Sequence, residues 1–322
     1  HKPVGKEPFE LHRPIPDHTT GIKLVLDALT DPAHGVIGSL DEVKAVGHRV
    51  AHGGEFFPES CIVTEEVKSK IRSLFEIAPL HNPANLEGVL SIEKVLPGVP
   101  QVTVFDTSFH MTMPEVAYTY ALPKDVCDKY HVRKYGAHGT SHRYEWMMAK
   151  EILGSRCHRL LSCHLGNGAS LAAIEDGVCR DTTMGLTPLD GLMMGTRCGD
   201  IDPFIVPFLQ KEGLSLDEVL DGLTKRGGLL GISGVSNDLR DVQKAADAGN
   251  DRAKLAIDVF CNGIVRHIGA YYAELGGLDH LVFTGGIGEH GTRIRESVCH
   301  QLAHMGILLD NKKNQNCTGA NT

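Results

Sequence analysis

The stretch HRLLSCHLGNGASLAAIEDGVCRDT, residues 158–182, decides the fold class. Its first part is an apolar strand that runs into a glycine-rich turn, and its second part alternates as strand, turn and strand. Asp176-Gly177 stands where a two-residue hairpin turn is expected, because this dipeptide tolerates the positive φ values that such turns need. The stretch therefore predicts strands joined by tight turns.

Further strands and helices alternate on both sides of this stretch. Residues 43–54 and 278–291 each predict a strand that runs into a glycine turn, and 100–110 predicts a short strand. The predicted helices lie at 64–78, 82–98 and 252–275. Thr64 is the expected N-cap of the first of these helices. Strands that alternate with helices predict an α/β architecture with a largely parallel central sheet in each half. Ligands of such sheets gather at the carboxyl ends of the strands.

Length and composition describe a globular protein with two domains. The chain has 322 residues, and domains average roughly 150 residues each. A shift in composition near 109–114 places the boundary between domains 1–110 and 111–322.

The formal charge of −8 and the lack of a Lys/Arg cluster argue against a nucleic-acid partner. No apolar run approaches the length of about 20 residues that spans a membrane. Nine cysteines without a C-x-x-C pair indicate free thiols in a reducing cytoplasm.

The 18 histidines raise the alternative of a metalloenzyme. Two pairs, His48/His52 and His138/His142, have the four-residue spacing of helical chelates. The first pair falls in a predicted strand, where residues four apart are too distant to hold one ion. The second pair encloses Gly, Thr and Ser, which favour a turn or a helix start. Neither pair has the glutamate of an H-E-x-x-H motif, so a zinc site is disfavoured.

Two glycine-rich segments are candidates for phosphate binding. Successive N–H groups of HLGNG (164–168) can point at one anion because glycine permits positive φ, although the same segment is also typical of a tight turn that binds nothing. GIGEHG (286–291) matches G-x-G-x-x-G between a strand and a helix, and Asp310 follows 24 residues after Gly286. This resembles a dinucleotide fingerprint, but no further strand follows to complete such a unit. A nucleotide contact is expected here, and a nicotinamide is not.

Three charged side chains stand at predicted strand ends or in glycine loops. Arg49 lies near the end of an apolar strand, Asp106 ends the strand at 100–110, and Arg197 lies in the loop GTRCGD (195–200). An arginine in apolar surroundings needs either an anionic ligand or a structural carboxylate, and both alternatives are open. Together with the glycine segments, this set suits a carboxylate and a chain of phosphates as ligands.

Eight segments along the chain resemble, in order, the signatures of the acetate kinase family. They are HRVAHGG, PLHNPAN, FDTSFH, YGAHGTSH, CHLGNG, MGLTPLDGLMMGTRCGDIDP, SNDLRD and FTGGIGEH, and they span nearly the whole chain. The resemblance implies the two-domain, actin-like α/β fold of the acetate and sugar kinases, with the domains closing on a cleft. It also implies the reaction ATP + acetate ⇌ ADP + acetyl phosphate by direct in-line transfer, Mg²⁺ as cofactor, and a homodimer.

The resemblance also implies catalytic roles, position by position. Arg49 and Arg197 are similar to the arginines that hold the carboxylate and the transferring phosphoryl group. Asp106 is similar to the catalytic acidic residue. His138 is similar to the histidine that stabilises the transition state by donating to phosphoryl oxygens, and His142 is expected to support it.

The substrate and nucleotide residues are implied in the same way. The substrate's methyl group is expected among Ala51, Leu80, Ala137 and Pro188, with His81 also in the substrate site. Family members often carry valine at the position of Ala51, and some carry phenylalanine at that of Ala137, so spare volume is expected. The implied nucleotide-binding residues are His164, Leu165, Gly166, Asn167, Gly168, Asp238, Leu239, Arg240, Gly286, Ile287, Gly288, Glu289 and His290. His290 departs from the asparagine common in the family.

Two family elements are expected outside the sequence as given. The family's N-terminal strands and phosphate loop would precede residue 1, and a C-terminal segment with a metal-associated glutamate would follow residue 322, so no Mg²⁺ ligand is assigned. The alternatives are a propionate or butyrate kinase of the same family and a truncated, non-catalytic nucleotide-binding module. A dehydrogenase would instead require tight binding of NAD.

Overall fold

The computed structural model describes residues 1–79 and 81–317, which form two compact units. The first unit is His1–Ser108, and the second begins at Phe109. Each unit has its own sheet and its own hydrophobic core. In the described part of the chain, no helix is long and apolar enough to cross a membrane.

The sheet of the first unit brings two strand ends together. Strand β1 spans Val46–Val50, β2 spans Cys61–Ile62 and β3 spans Gln101–Phe105, in the order β1-β3-β2. β1 and β3 are parallel, and β2 is antiparallel to β3. The N–H of Asp106 donates to the carbonyl oxygen of Val50 at 3.0 Å, so the ladder continues past the end of β3. Residues that leave β1 and β3 therefore emerge at the same edge.

The helices of the first unit cover this sheet. They are α1 (His18–Thr30), α2 (Glu65–Ser73) and α3 (Asn82–Val95). Thr64 caps α2 as predicted, because its side chain accepts a hydrogen bond from the N–H of Val67 at 3.2 Å. The predicted helix 64–78 ends earlier, at Ser73. The residues Val50, Phe57, Val67, Ile71, Leu86 and Phe105 form the core between the sheet and the helices.

The sheet of the second unit is mixed. Its strands are β4 (Arg159–Leu165), β5 (Ala169–Glu175), β6 (Val178–Thr182) and β7 (His280–Thr284), in the order β6-β5-β4-β7. Among the described strands of this sheet, β4 and β7 pair in parallel, and the pairs β4/β5 and β5/β6 are antiparallel.

The prediction of a largely parallel sheet in each half is therefore wrong. The segments 166–168 and 176–177 join neighbouring strands, and a parallel crossover needs a dozen residues or more. The first sheet likewise has one parallel and one antiparallel pairing. Asp176 and Gly177 have φ values of 49° and 86°, which confirms the predicted hairpin turn.

The second unit also contains a series of helices, some of which pack on its sheet. In chain order they are α4 (Glu115–Tyr118), α5 (Lys124–Tyr130), α6 (Gly139–Leu153), α7 (Ile205–Lys211), α8 (Leu216–Thr224), α9 (Gly228–Ser233), α10 (Leu239–Asp247), α11 (Asp251–Glu274), α12 (Gly285–His290), α13 (Thr292–Gln301) and α14 (Asn311–Asn316). The longest described helix, α11, buries Phe260, Ile264 and Ile268 in the main core. Two strands that end beside each other, β4 and β7, carry the glycine-rich segments at their carboxyl ends.

Candidate active site

Arg49 and Asp106 form an ion pair at the carboxyl ends of β1 and β3. The Nε of Arg49 donates to Asp106 Oδ1 at 2.9 Å, and its Nη2 donates to Asp106 Oδ2 at 2.5 Å. The Asp106 side chain is buried, whereas the Arg49 side chain is 69% exposed. Hydrogen bonding to Asp106 raises the pKa of Arg49 above its usual value. A buried carboxylate thus holds an exposed guanidinium in a fixed orientation, with part of its surface still open to a ligand.

The backbone beyond β1 is held by two asparagines at the start of α3. Asn85 Oδ1 accepts a hydrogen bond from the N–H of Ala51 at 3.0 Å, and Asn82 bonds both the N–H and the carbonyl oxygen of His52. Neither asparagine was assigned a role from the sequence, although HNPAN places both in the first turn of a helix. His81 is exposed and precedes that turn. The predicted substrate residue Leu80 lies outside the described residues.

His138 sits at the N-cap position of α6 in the second unit. Its φ is 57°, a left-handed conformation that is uncommon for a residue with a side chain and is often found at functional sites. Its ring stacks on His164 at a centroid distance of 4.2 Å. The Nδ1 of His164 lies 2.9 Å from the Oγ of Ser141 on the first turn of α6. The turn between the two histidines of YGAHGTSH therefore starts a helix.

Arg197 and His138 approach the same glycine. A Cβ built on Gly168 would lie 3.3 Å from His138 Nε2 and 3.5 Å from Arg197 Nη2. The absence of a side chain at Gly168 thus leaves room beside two nitrogen groups that can face an anion. Gly168 belongs to the turn after β4, and this turn is closed by the N–H of Gly166, which donates to the Gly168 carbonyl oxygen at 2.9 Å.

Arg197 has no carboxylate partner among residues 1–79 and 81–317. Its Nη1 donates to the carbonyl oxygen of Pro188 at 2.8 Å. Burial lowers the pKa of Arg197 below its usual value, because removal from water disfavours the charged guanidinium. The two arginines therefore differ. Arg49 is paired with the carboxylate of Asp106, whereas no carboxylate in the described chain balances the positive charge of Arg197. Ala137, another predicted substrate residue, is buried, and its carbonyl oxygen lies 2.8 Å from His110 Nε2.

Three predicted motifs meet at Asn167. Its carbonyl oxygen accepts from the N–H of Gly195, and its Oδ1 accepts from the Nδ2 of Asn237 at 3.0 Å. A Cβ on Gly195 would stand 2.0 Å from Asn167 Oδ1, so this contact requires a glycine. The turn after β4, the Arg197 loop and the SNDLRD segment are therefore fixed to one another.

Asp238 and Arg240 interact with each other at the start of α10. Asp238 Oδ1 accepts from the N–H of Arg240 at 2.9 Å, and the guanidinium of Arg240 pairs with the same carboxylate. These bonds lower the pKa of Asp238 to about 2. Asp238 thus acts as a helix cap, and the partly exposed pair remains a predicted nucleotide contact. Leu239, between them, is buried in the core.

The segment after β7 is a short helix, and the predicted glycine loop at this point is wrong. Residues Gly285–His290 form α12 directly after the strand. Gly285 has a φ of 75°, and a Cβ there would lie 2.7 Å from the carbonyl oxygen of Leu165 at the end of β4. The segment 285–290 therefore starts next to the end of β4, where the glycine turn 166–168 also starts. The backbone carbonyl oxygens of Gly288 and Glu289 accept from Arg295.

The sequence pattern did not indicate a structural role for Arg295, because a basic residue in a helix is normally solvated. It is buried, and besides the α12 carbonyls it also bonds Asn314 on α14. Asp310 caps α14 by accepting from the N–H of Lys313 at 3.0 Å. In the described chain no strand lies between β7 and Asp310, so the acidic residue of a dinucleotide fingerprint has no counterpart here.

The described residues include no group of three or more His, Cys, Asp or Glu that could hold a metal ion. His48 lies on β1 with its Nε2 2.6 Å from Gln101 Oε1, and His52 Nδ1 accepts from the N–H of Gly54. His142 is fully buried and bonds two serines. The described hydrogen bonds of His48, His52 and His142 are to protein groups, and none of these histidines is assigned as a metal ligand.

The first unit carries the Arg49–Asp106 pair at its strand ends, and the second carries glycine-rich segments beside His138 and Arg197. With the match to solved structures given below, this fold and site place the chain in the class of kinases with the actin-like fold. The model of the Acetokinase family matches residues 2–322, and the chain belongs to this family, whose members are kinases with a carboxylate acceptor. The family predicted from the sequence is thus confirmed.

Named relatives and solved structures agree with this assignment. An acetate kinase of Desulfitobacterium hafniense is 52% identical over 318 residues, which are 98% of this chain and 80% of that protein. The crystal structure of Porphyromonas gingivalis acetate kinase is 49% identical with a TM-score of 0.90, over 96% of this chain and 78% of that one. A propionate kinase from Francisella tularensis is 43% identical with a TM-score of 0.88, over 92% and 76% of the two chains. These likenesses confirm the actin-like fold.

Proposed function

We propose that this protein transfers the γ-phosphoryl group of ATP to acetate and forms ADP and acetyl phosphate in a reversible, direct in-line reaction. A carboxylate oxygen forms the new bond to the γ phosphorus, and the bond from that phosphorus to the β–γ bridging oxygen breaks. The observation that carries the proposal is the approach of His138 Nε2 and Arg197 Nη2 to the open side of Gly168. Donors fixed in this way can stabilise charge on the equatorial oxygens of the transferring group.

The catalytic roles divide among a few residues. Arg49 binds the carboxylate of acetate, and Asp106 orients Arg49 through the two-bonded ion pair. Arg197 and His138 contact the phosphoryl group during transfer. No side chain needs to form a covalent intermediate, because the acetate oxygen itself is the nucleophile.

ATP is proposed to bind along the second sheet at the carboxyl ends of β4 and β7. The fixed contacts of Asn167 with Gly195 and Asn237, and the approach of Gly285 to Leu165, support this placement. The proposed nucleotide contacts remain His164 through Gly168, Asp238 through Arg240 and Gly286 through His290. Mg²⁺ is proposed to accompany ATP and to offset phosphate charge. The described residues do not form a metal-binding group, so no residue is assigned to it.

The direct test is a hydroxylamine assay for acyl phosphate with the full-length protein, ATP, Mg²⁺ and acetate. We expect hydroxamate formation that depends on both ATP and acetate. A protein that binds ATP but forms no acyl phosphate from acetate, propionate or butyrate would be a nucleotide-binding module.

The second candidate function is phosphorylation of propionate in addition to acetate. It is supported by the small side chain of Ala51, held in place through its N–H by Asn85, and by the 43% identical propionate kinase. We expect appreciable activity with propionate, and we expect Ala51→Val to shift the ratio of kcat/KM values towards acetate by about tenfold, since one methylene in an apolar pocket is worth about 10–200-fold. The measurement is kcat/KM for both acids.

Ala84→Val is the matched control for this substitution. Ala84 is exposed in the same segment as Asn82 and Asn85, so its substitution should leave the ratio unchanged. An unchanged ratio in Ala51→Val would show that Ala51 does not contact the acyl group.

We also propose a cytoplasmic homodimer. All nine cysteines are free thiols, as expected in a reducing compartment. The dimer is supported by exposed apolar side chains around α7 and α8, where Phe204 is 79% and Phe208 is 58% exposed. Phe208→Glu is expected to give a monomer in light scattering, while Ile152→Glu, at a more exposed site on α6, should not. A wild-type monomer, or a Phe208→Glu dimer, would contradict this surface.

A further inference from the structure

A line of four side chains runs from the core of the second unit to His138. The Nδ1 of His138 lies 2.9 Å from the Oγ of Ser170 on β5. The same oxygen lies 2.8 Å from His142 Nε2, and His142 Nδ1 lies 2.9 Å from the Oγ of Ser162 on β4. His142 and both serines are completely buried.

His142 is neutral in this line. Its pKa is well below the usual value, first because it is buried and then because His110, His138 and His164 stand nearby. A neutral imidazole has one N–H donor and one acceptor nitrogen, and a serine hydroxyl has a single proton to donate. In the described chain the buried hydroxyl of Ser170 bonds only these two rings, so its proton has an acceptor only if it donates to one ring and accepts from the other.

Ser162 sets the direction of these hydrogen bonds. In the described part of the chain, its Oγ has no hydrogen-bond partner other than His142. A buried hydroxyl proton without an acceptor is costly, so Ser162 donates to His142 Nδ1. The proton of His142 is then on Nε2 and is donated to Ser170, and the hydroxyl of Ser170 donates to His138 Nδ1.

We propose that the line Ser162–His142–Ser170 holds His138 as the neutral tautomer with its proton on Nε2, and that Ser170 is therefore a positioning residue. Nε2 is the nitrogen that lies 3.3 Å from the Cβ position at Gly168, where Arg197 also approaches. His138 is thus prepared as a hydrogen-bond donor on the side where an anion fits. The catalytic meaning of this donor rests on the proposed function, whereas the tautomer itself does not.

The reverse arrangement explains why the direction matters. If the proton of His138 were on Nδ1, it would donate to Ser170, Ser170 would donate to His142, and His142 would donate to Ser162. The Ser162 proton would then be buried without an acceptor, and Nε2 of His138 could only accept a hydrogen bond. An acceptor nitrogen would repel phosphoryl oxygens and could not stabilise their charge.

Nitrogen NMR of the full-length protein with labelled histidine tests the tautomer directly. The His138 signals are assigned by their loss in His138→Gln. We expect wild type to show a protonated Nε2 and an unprotonated Nδ1, and we expect Ser170→Ala to lose this single-tautomer pattern. Because an orienting partner of a functional histidine is worth about 10–100-fold, Ser170→Ala should lower kcat about tenfold with little change in KM.

Two further variants separate positioning from folding. Ser170→Thr keeps the hydroxyl and should restore both the tautomer and kcat. Thr182→Val removes another buried hydroxyl of the same sheet, one that donates to the Leu171 carbonyl oxygen, and should leave His138 unchanged. The proposal is overturned if wild-type His138 has its proton on Nδ1, or if Ser170→Ala keeps both the tautomer and kcat. A wild-type protein with the expected tautomer but no acyl phosphate would overturn the proposed function instead.

Discussion

Replacement of Arg197 by alanine is expected to lower kcat by about 10²–10³, the usual cost of removing one donor that stabilises charge in a transition state. Arg197 is half-buried, has no carboxylate partner in the described chain, and has a pKa that burial lowers. Its charge is therefore available to a group that becomes more negative during transfer. Since this interaction strengthens only in the transition state, the dissociation constant of ATP should change much less than kcat.

The matched control for this variant is Arg293→Ala. Arg293 is an exposed arginine of the same unit that pairs with Asp247 at 2.7 Å, and its removal should leave kcat close to that of wild type. Steady-state kinetics and ATP titration of both variants are the measurements. If Arg197→Ala keeps its kcat and loses only ATP affinity, Arg197 is a nucleotide clamp and the proposed role in transfer is wrong.

Asp106→Asn is expected to lower kcat/KM for acetate by about 10², because small displacements of a substrate-positioning group typically cost that much. The carboxylate of Asp106 holds the mostly exposed guanidinium of Arg49 with hydrogen bonds at 2.9 and 2.5 Å. Asparagine keeps one acceptor but removes the charge and places an N–H₂ group towards Arg49. Arg49 would then sample many orientations, and the carboxylate of acetate would lose its fixed partner.

Glu93→Gln provides the comparison within the same unit. Glu93 accepts a hydrogen bond from the buried Lys68 at 2.8 Å, so this variant also weakens an ion pair by the same chemical change. Its kcat/KM should stay near that of wild type. Equal losses in Asp106→Asn and Glu93→Gln would mean that the Arg49–Asp106 pair serves stability only. A circular dichroism spectrum of each variant confirms that the fold is retained.

Local signals in the sequence predicted several elements well. Thr64 caps α2 and Asp176-Gly177 forms the hairpin turn, because each depends on the chemistry of one or two neighbouring residues. The positions of β4 and β7 were predicted for the same reason, since short apolar runs end at glycine in both. The glycines of HLGNG were correctly placed in a turn after a strand.

The buried face of α11 and the helical conformation of α12 depended on more distant contacts. The helix predicted at 252–275 is confirmed as α11, but its apolar residues Leu255 and Val259 are about 40% exposed, and the smaller Ala253 and Ala256 are buried instead. The glycines of α12 suggested a loop, but the strand before it and the carbonyl bonds of Arg295 favour a helix. No local pattern records such contacts.

The site shows the same division. Glycine loops and charged residues near strand ends were sufficient to name Arg49, Asp106 and Arg197 as candidates, whereas His138 was named through the family resemblance. The sequence could not show that Asp106 is the partner of Arg49, because the two are 57 residues apart and meet only through the parallel register of β1 and β3. Ser170 was also missed, since a serine on a buried strand has no distinguishing pattern.

The central claim is direct phosphoryl transfer from ATP to a carboxylate, and phosphorus NMR of one reaction tests it most directly. The full-length protein is mixed with ATP, Mg²⁺ and acetate whose carboxylate oxygens carry the heavy isotope. We expect the signals of ADP and acetyl phosphate to appear together, with the isotope shift on the phosphorus of acetyl phosphate, because an acetate oxygen forms the new bond. Release of AMP and pyrophosphate, or ADP formation without an isotope-shifted acetyl phosphate, would contradict the account.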